Sequence, residues 1–377
     1  MTGNNSASLY FHIPFCARKC PYCHFYVLPD KQELKEQLLA ALSLEWKREF
    51  PKLQSREIVS IYFGGGTPSL FGPRAIETIL GWIQRDAKLS SQCEITIEAN
   101  PEEGRLLTAF AQTGINRMSL GVQSLDEEIL KQLGRKHTRE EALSTVHALH
   151  KAGVQNLSLD LMYEIPKQTP SSFENTLKTL ATLPITHISL YNLTFEPETV
   201  FFKRKQKLTP LLPTPDESLR MLEMAVQYLE KMGLRRYEIS AFAREGYHSI
   251  HNTGYWTARP FLGFGPSAFS HWKGRRYRNI ANLKTYEENL LQGRSPVDFE
   301  EALPHPQNIL ELLAVELRLL RGVELGTFET RHGPLPQETH MTIQELIRKG
   351  WLTRNENIIK LSEEGLLFYD SVASELI

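Results

Sequence analysis

The sequence predicts an α/β protein, six successive strand–helix units followed by a smaller C-terminal unit of different character. Short β-rich runs at residues 8–13, 58–63, 94–98, 117–120, 157–161 and 187–191 alternate with helical stretches at 31–48, 74–85, 105–112, 139–151 and 171–182. That alternation signals repeated βαβ units and a parallel sheet. It stops after residue 205, and with 377 residues the chain is long enough to bury a large core. Periodicity alone leaves open whether the six units form an open doubly wound sheet or a partial barrel.

In order, the first run leads straight into a cysteine-bearing loop, and the second into Gly64-Gly65-Gly66-Thr67-Pro68. Glycines there remove side chains and let the backbone approach a ligand closely. The third run ends on Glu98, Gln123 follows the fourth, and Arg135 lies one helix later. Asp160 sits inside the apolar fifth run, where a lone acid is costly unless bonded. Tyr191 and Thr194 close the sixth. Polar groups thus fall at the same end of nearly every strand, the end where barrels carry their sites.

Beyond the six units, residues 207–215 (KLTPLLPTP) read as a loop or lid, followed by a helix over 216–232 and a strand around 236–240. An aromatic stretch at 247–272 reads as a loop lining the barrel mouth. Its Gly263-Phe264-Gly265-Pro266-Ser267-Ala268 matches a dinucleotide-binding spacing, but no clear strand precedes it and no suitable acid follows, so that reading is rejected. A proline-bearing boundary at 296–306 introduces helices at 308–320 and 341–349, a hairpin at 351–361 and a last helix, a winged-helix-like order. The resulting division is 1–208, 209–300 and 301–377. Only Arg348 and Lys349 give the second of those helices positive charge, so a packing role is expected and nucleic acid is not.

The whole chain sets 43 Lys and Arg against 44 Asp and Glu, a net charge of -1 that offers no general attraction to nucleic acid or anionic membrane. No apolar run approaches the length of a spanning helix, and residues 1–8 lack a signal-peptide pattern. A cytoplasmic globular protein is expected, with any membrane contact local or made through a partner.

Cys16, Cys20 and Cys23 follow the first strand with C-x3-C-x2-C spacing, far from Cys93, which reads as a small buried hydrophobe. Three thiolates on one loop can hold three irons of a 4Fe-4S cube and leave the fourth iron open to a small molecule. The alternative is zinc with His24 or His12 as fourth ligand, but zinc sites usually bring two separated ligand pairs and no second pair follows.

The spacing, with Tyr22 before the last cysteine, resembles the radical S-adenosylmethionine (SAM) superfamily. The resemblance implies a six-unit partial (β/α) barrel in which the open iron binds SAM. LYFHIPFC, YFGGGTPSLF, IEANP, LGVQS, GRKH, LDLMYEIPKQT, YEIS and HNTGYW narrow it to the group of coproporphyrinogen dehydrogenases and HemW haem chaperones, over nearly the whole chain. By that resemblance Tyr10, Tyr22, Gly65, Gly66, Thr67 and Glu98 line the SAM site. Gln123, Arg135, Asp160, Thr194 and Phe269 extend it towards a second SAM or a tetrapyrrole, and the HNTGYW motif associates His251 with haem. On the residues alone, His251 reads more simply as a histidine bonded to backbone, with Trp256 in the core.

Three functions follow. The first is a haem chaperone that binds a 4Fe-4S cluster, SAM and haem as cargo and delivers haem to membrane haem proteins. The second is an oxygen-independent coproporphyrinogen III oxidase, and the third a winged-helix regulator sensing redox state. Phe25 stands where the dehydrogenases carry a fourth cysteine, and only nine residues precede Tyr10 where they carry an extension; both features argue for the chaperone. Glu164 stands where the group has glycine, which bears on the local turn.

Overall fold

A computed structural model describes residues 5–377, so part of the N-terminal segment, residues 1–4, lies outside the described residues. Six parallel strands form its centre: β1 (Ser6–Ile13), β2 (Glu57–Gly65), β3 (Lys88–Ala99), β4 (Arg117–Gln123), β5 (Asn156–Tyr163) and β6 (His187–Asn192). They are hydrogen-bonded in that order. When sequence neighbours are also sheet neighbours, right-handed crossovers put every connecting helix on one face. The other face is left to curl on itself, so the topology is that of a partial barrel, not a doubly wound sheet.

Side-chain alternation along the strands matches this two-sided environment. Leu9, Phe11 and Ile13 on β1, Ile61 and Phe63 on β2, Ile95 and Ile97 on β3, Leu120 and Val122 on β4 and Leu157, Leu159 and Leu161 on β5 are buried in one core. Truncating a fully buried member such as Phe63 to alanine is expected to cost ~3–5 kcal/mol. The alternate positions are polar: Ser8, Ser60, Glu94, Thr96, Arg117, Ser119, Ser158, His187 and Ser189 are all buried. The inside of the barrel is therefore a hydrogen-bonded polar interior.

Two additions widen the sheet. On one side β7 (Arg235–Glu238) and β8 (Ala241–Ala243) form an antiparallel hairpin against β6. On the other, β9 (Phe261–Phe264) pairs parallel with β1, and β10 (Phe269–Trp272), β11 (Arg275–Asn279) and β12 (Val297–Glu301) continue as an antiparallel meander. Glu45 of the first long helix ties this extension down, accepting from Gly265 N (2.8 Å), Asn279 Nδ2 (2.6 Å) and the Tyr286 hydroxyl.

The aromatic stretch thus corrects the loop reading. It contains helix Ile250–Trp256 and two strands, and a strand does precede the 263–268 glycines. The four residues of β9 are too few for periodicity to show, and their partner is the backbone of β1. Residues 207–215 likewise are not one open loop: helix Lys205–Leu208 and a 3-10 turn Thr209–Leu211 occupy most of the segment, and Lys167 N donates to Leu211 O at 2.6 Å. The helix read at 105–112 is a 3-10 segment, Pro101–Gln112, kinked at Gly104.

The C-terminal unit has its own core around Ile309, Leu313, Phe328, Ile343, Leu346 and Val372. Helix Gln307–Glu316 leads to strand Val323–Glu324, helices Leu325–His332 and Gln337–Arg348, and hairpin Leu352–Asn355/Ile358–Leu361. The three strands pair antiparallel, a fuller winged-helix-like order than expected. The missed strand has two residues, and the missed helix carries Gly326 in its first turn. Arg318 joins this unit to the barrel, its guanidinium 4.3 Å from the Trp256 ring centre and 3.4 Å from Glu238.

Candidate cofactor-binding cleft

The C-terminal ends of the parallel strands and the cysteine loop enclose a cavity of about 480 Å³. Cys16, Cys20 and Cys23 line it with Tyr22, Gly65, Gly66, Thr67, Glu98, Gln123, Arg135, Asp160 and Thr194. Twelve of the fifteen residues singled out from the sequence therefore share one cleft.

Three do not. Tyr10 lies behind the wall, its hydroxyl 3.1 Å from His12 Nδ1 and its ring stacked on Tyr62. Phe269 stands apart from the cleft: its strand pairs with β11, and its half-exposed ring meets Phe299 and the Arg278 guanidinium on the outer meander. His251 lies outside the cleft as well. It is 1% exposed, with Nδ1 3.0 Å from Ser60 Oγ and Nε2 2.8 Å from the Tyr255 hydroxyl, so neither ring nitrogen is free for iron. Burial pushes its pKa down to about 3, which keeps the imidazole neutral. The backbone N–H groups of Ile250 and His251 donate to the Glu94 carboxylate, both at 2.9 Å. The HNTGYW segment thus plugs the N-terminal half of the barrel interior.

The glycine loop owes its composition to its own chain. A Cβ on Gly65, whose φ is +113°, would lie 2.6 Å from the His12 ring, and one on Gly66 2.6 Å from Phe15 O. Gly66 N donates to Ile13 O (2.9 Å) and Thr67 N to Phe15 O (2.6 Å), which pins the cysteine loop to the end of β2. Thr67 Oγ1 lies 3.6 Å from Cys16 Sγ.

Glu98 accepts from the Tyr62 hydroxyl (2.8 Å) and Gly65 N (3.2 Å), while burial pushes its carboxyl up to about 7. Asp160 accepts from Ser119 Oγ at 3.1 Å, and burial raises its pKa too, against the pull of Ser189 and Ser119. Gln123 holds a left-handed backbone, φ 65°, at an irregularity in the β4–β5 ladder, strain that concentrates at functional sites. Arg135 donates to Asn100 Oδ1 (2.6 Å) and Gly121 O (2.7 Å), reaches within 3.6 Å of Cys20 Sγ, and keeps its Nε buried without a partner. Asn100 also donates to Thr67 Oγ1 at 3.0 Å and is a residue the sequence reading left without a role, although it lies within IEANP.

The donor set suits a multi-iron cluster better than one ion. All three thiols line the cleft. His24 stands on the rim against Phe25, and His12 is engaged by Tyr10 and by Tyr26 O at 3.2 Å. Burial raises the Cys16 thiol to about 11 and raises Cys23 as well, so binding of any metal must displace protons.

Comparison with known proteins agrees with this geometry. The radical SAM superfamily matches residues 10–180, and the HemN C-terminal domain matches residues 303–368. The heme chaperone HemW of Bacillus subtilis is 31% identical, with 97% of each chain covered. HemW of Haemophilus influenzae is 33% identical over 97% of this chain and 96% of its own. Among solved structures, coproporphyrinogen III oxidase (HemN) from Escherichia coli, a radical SAM enzyme, superposes with a TM-score of 0.86 at 24% identity, covering 99% of this chain and 90% of that one. At that identity the likeness speaks for the fold.

Proposed function

The chain belongs to the family of radical SAM proteins that includes the HemW haem chaperones, and we propose that it is a haem-binding chaperone whose cleft holds a 4Fe-4S cluster and SAM. The observation carrying this reading is the single cleft shared by three cysteines and the polar residues at the strand ends. Cys16, Cys20 and Cys23 would ligate three irons, and the cluster, when bound, would supply an electron through its open iron. Ionised Glu98 would pair with the ammonium of SAM, the Arg135 guanidinium with its carboxylate, and Asp160 would accept from hydroxyl groups. Asn100 holds Arg135 and Thr67 in place for this.

Haem is cargo in this account, and the acceptors are membrane haem proteins. No helix of the described residues is long and apolar enough to cross a membrane. Local contact is supported by the exposed run 202–207, where Phe202 stands beside Lys203, Arg204, Lys205 and Lys207, next to Phe201, whose ring lies 6.2 Å from that of Tyr22. Such a mixture of aromatic and cationic side chains suits an anionic lipid surface.

The oxidase alternative shares the fold, but Phe25, at the cleft rim and 51% exposed, offers no ligand atom where that group has a cysteine. Anaerobic turnover of cluster-loaded protein with coproporphyrinogen III, SAM and a reductant tests the two. The chaperone predicts an intact cluster, no protoporphyrinogen and haem binding above that of an unrelated protein. Protoporphyrinogen formation overturns it.

A further inference from the structure

With His251 buried and both its nitrogens engaged, the cargo needs another seat. A second groove, of about 730 Å³, lies at the seam between the barrel and the C-terminal unit. Its walls come from the ends of β5 and β6, helix Pro215–Lys231, the β7–β8 turn and residues 366–370. Asn192 and Leu193 line both this groove and the cofactor cleft, so the two spaces adjoin. We propose that this groove seats the tetrapyrrole, with the macrocycle against Leu219, Leu222, Leu367 and Phe368 and a propionate on Arg236. The inference rests on the haem-carrying reading above.

Size and chemistry both support that occupant. The volume falls within the usual range for sites of small organic ligands. Leu219, Leu367 and Phe368 are 39%, 47% and 45% exposed although they are large and apolar, and they approach the groove from two separate units. Converging exposed apolar side chains mark a surface awaiting a partner. Arg236 supplies the polar end. Its Nε and Nη2 both donate to Ile239 O, and among the described residues it makes no ion pair. Glu238 is taken by Arg318, and Glu164 and Asp370, which also line the groove, are not paired with Arg236. Burial lowers the Arg236 pKa against the pull of nearby Glu238, the sign of a cation short of solvent. A flat apolar ring bearing carboxylates satisfies the apolar walls and this guanidinium together.

The test is an absorbance titration of the intact, cluster-loaded protein with hemin and, separately, with hemin dimethyl ester, which lacks free carboxylates. Leu219→Glu, at a half-exposed helix position, should weaken both by roughly tenfold or more. Arg236→Gln keeps an amide donor for Ile239 O; it should weaken hemin by roughly tenfold and leave the ester unchanged. Cluster content and SAM affinity should not move in either variant, which separates local loss from misfolding. If wild-type protein binds hemin and both variants bind it equally well, the groove is not the seat. If wild-type protein binds hemin no better than an unrelated protein, the chaperone reading itself falls.

Discussion

The Tyr62 hydroxyl donates to the Glu98 carboxylate at 2.8 Å across neighbouring strands, inside a cleft that holds this acid near neutrality. Burial pushes the Glu98 carboxyl up to about 7, so it is mostly protonated below that pH and ionised above it. An ammonium ligand binds the ionised form. SAM affinity on cluster-loaded protein, measured by calorimetry, should therefore rise roughly tenfold between about pH 6 and pH 8. Glu98→Gln should abolish the rise and weaken binding at the higher pH. A pH-independent wild type would remove Glu98 from the ammonium site.

Gly66 allows the cysteine loop to lie on the end of β2, because a Cβ there would meet the backbone of Pro14 and Phe15 at 2.6–3.0 Å. Gly66→Ala must push that loop outward, since the obstacle is main chain and not a mobile side-chain tip. Destabilisation of about 1–3 kcal/mol is expected. Iron and sulfide content after reconstitution should fall more steeply than helix content by circular dichroism. Full cluster loading in the variant would show that the loop does not depend on this contact.

Local signals were legible in the sequence, and long-range ones were not. The cysteine loop, the six strands and Asp160 each announce themselves within a few residues. Helix Ile250–Trp256 does not, because what buries His251 is Ser60 and Glu94 on distant strands. The glycine loop signals ligand approach by its composition and does line the cleft, but its close packing on His12 and Phe15 depends on chain about fifty residues away. Phe269 enters the site only through the family resemblance; its strand, set by pairing with β11, turns it outwards towards Arg278. The clearest overlooked signal is the polar member of each alternating pair: Ser8, Ser60, Glu94, Arg117, Ser158 and His187 trace the barrel interior at period two.

Glu164 holds a left-handed backbone with φ 60°, a conformation that favours glycine. A side chain there strains the turn after β5 by about 1 kcal/mol, partly offset because glycine also gains freedom in the unfolded chain. Glu164→Gly is expected to leave stability unchanged or raise the melting temperature by about 2 °C, measured by calorimetry. A clear fall would mean that the carboxylate makes a contact that outweighs the strain.

The cationic run beside Phe202 predicts binding to anionic vesicles. Each lysine near a charged bilayer contributes about 1 kcal/mol, so replacing Lys203, Lys205 and Lys207 with Gln should weaken binding to phosphatidylglycerol vesicles roughly a hundredfold. Phosphatidylcholine vesicles should bind neither form appreciably. Equal flotation of both proteins with anionic vesicles would take this segment out of any membrane contact.

His251 distinguishes structural from cargo-binding use of its motif. Its neutral imidazole bridges Ser60 and Tyr255. Since burial depresses its pKa to about 3, its stabilisation is complete above the ordinary value of about 6.5 and is lost as pH falls towards 3. His251→Asn leaves a buried hydroxyl without its partner, at a cost of about 1–3 kcal/mol. Chemical denaturation should show that loss at neutral pH and a shallower decline on acidification than in the wild type. Hemin affinity per folded molecule should be unchanged. If the variant keeps its stability and loses hemin, the imidazole is an iron ligand after all, and the barrel must open at its N-terminal half to expose it.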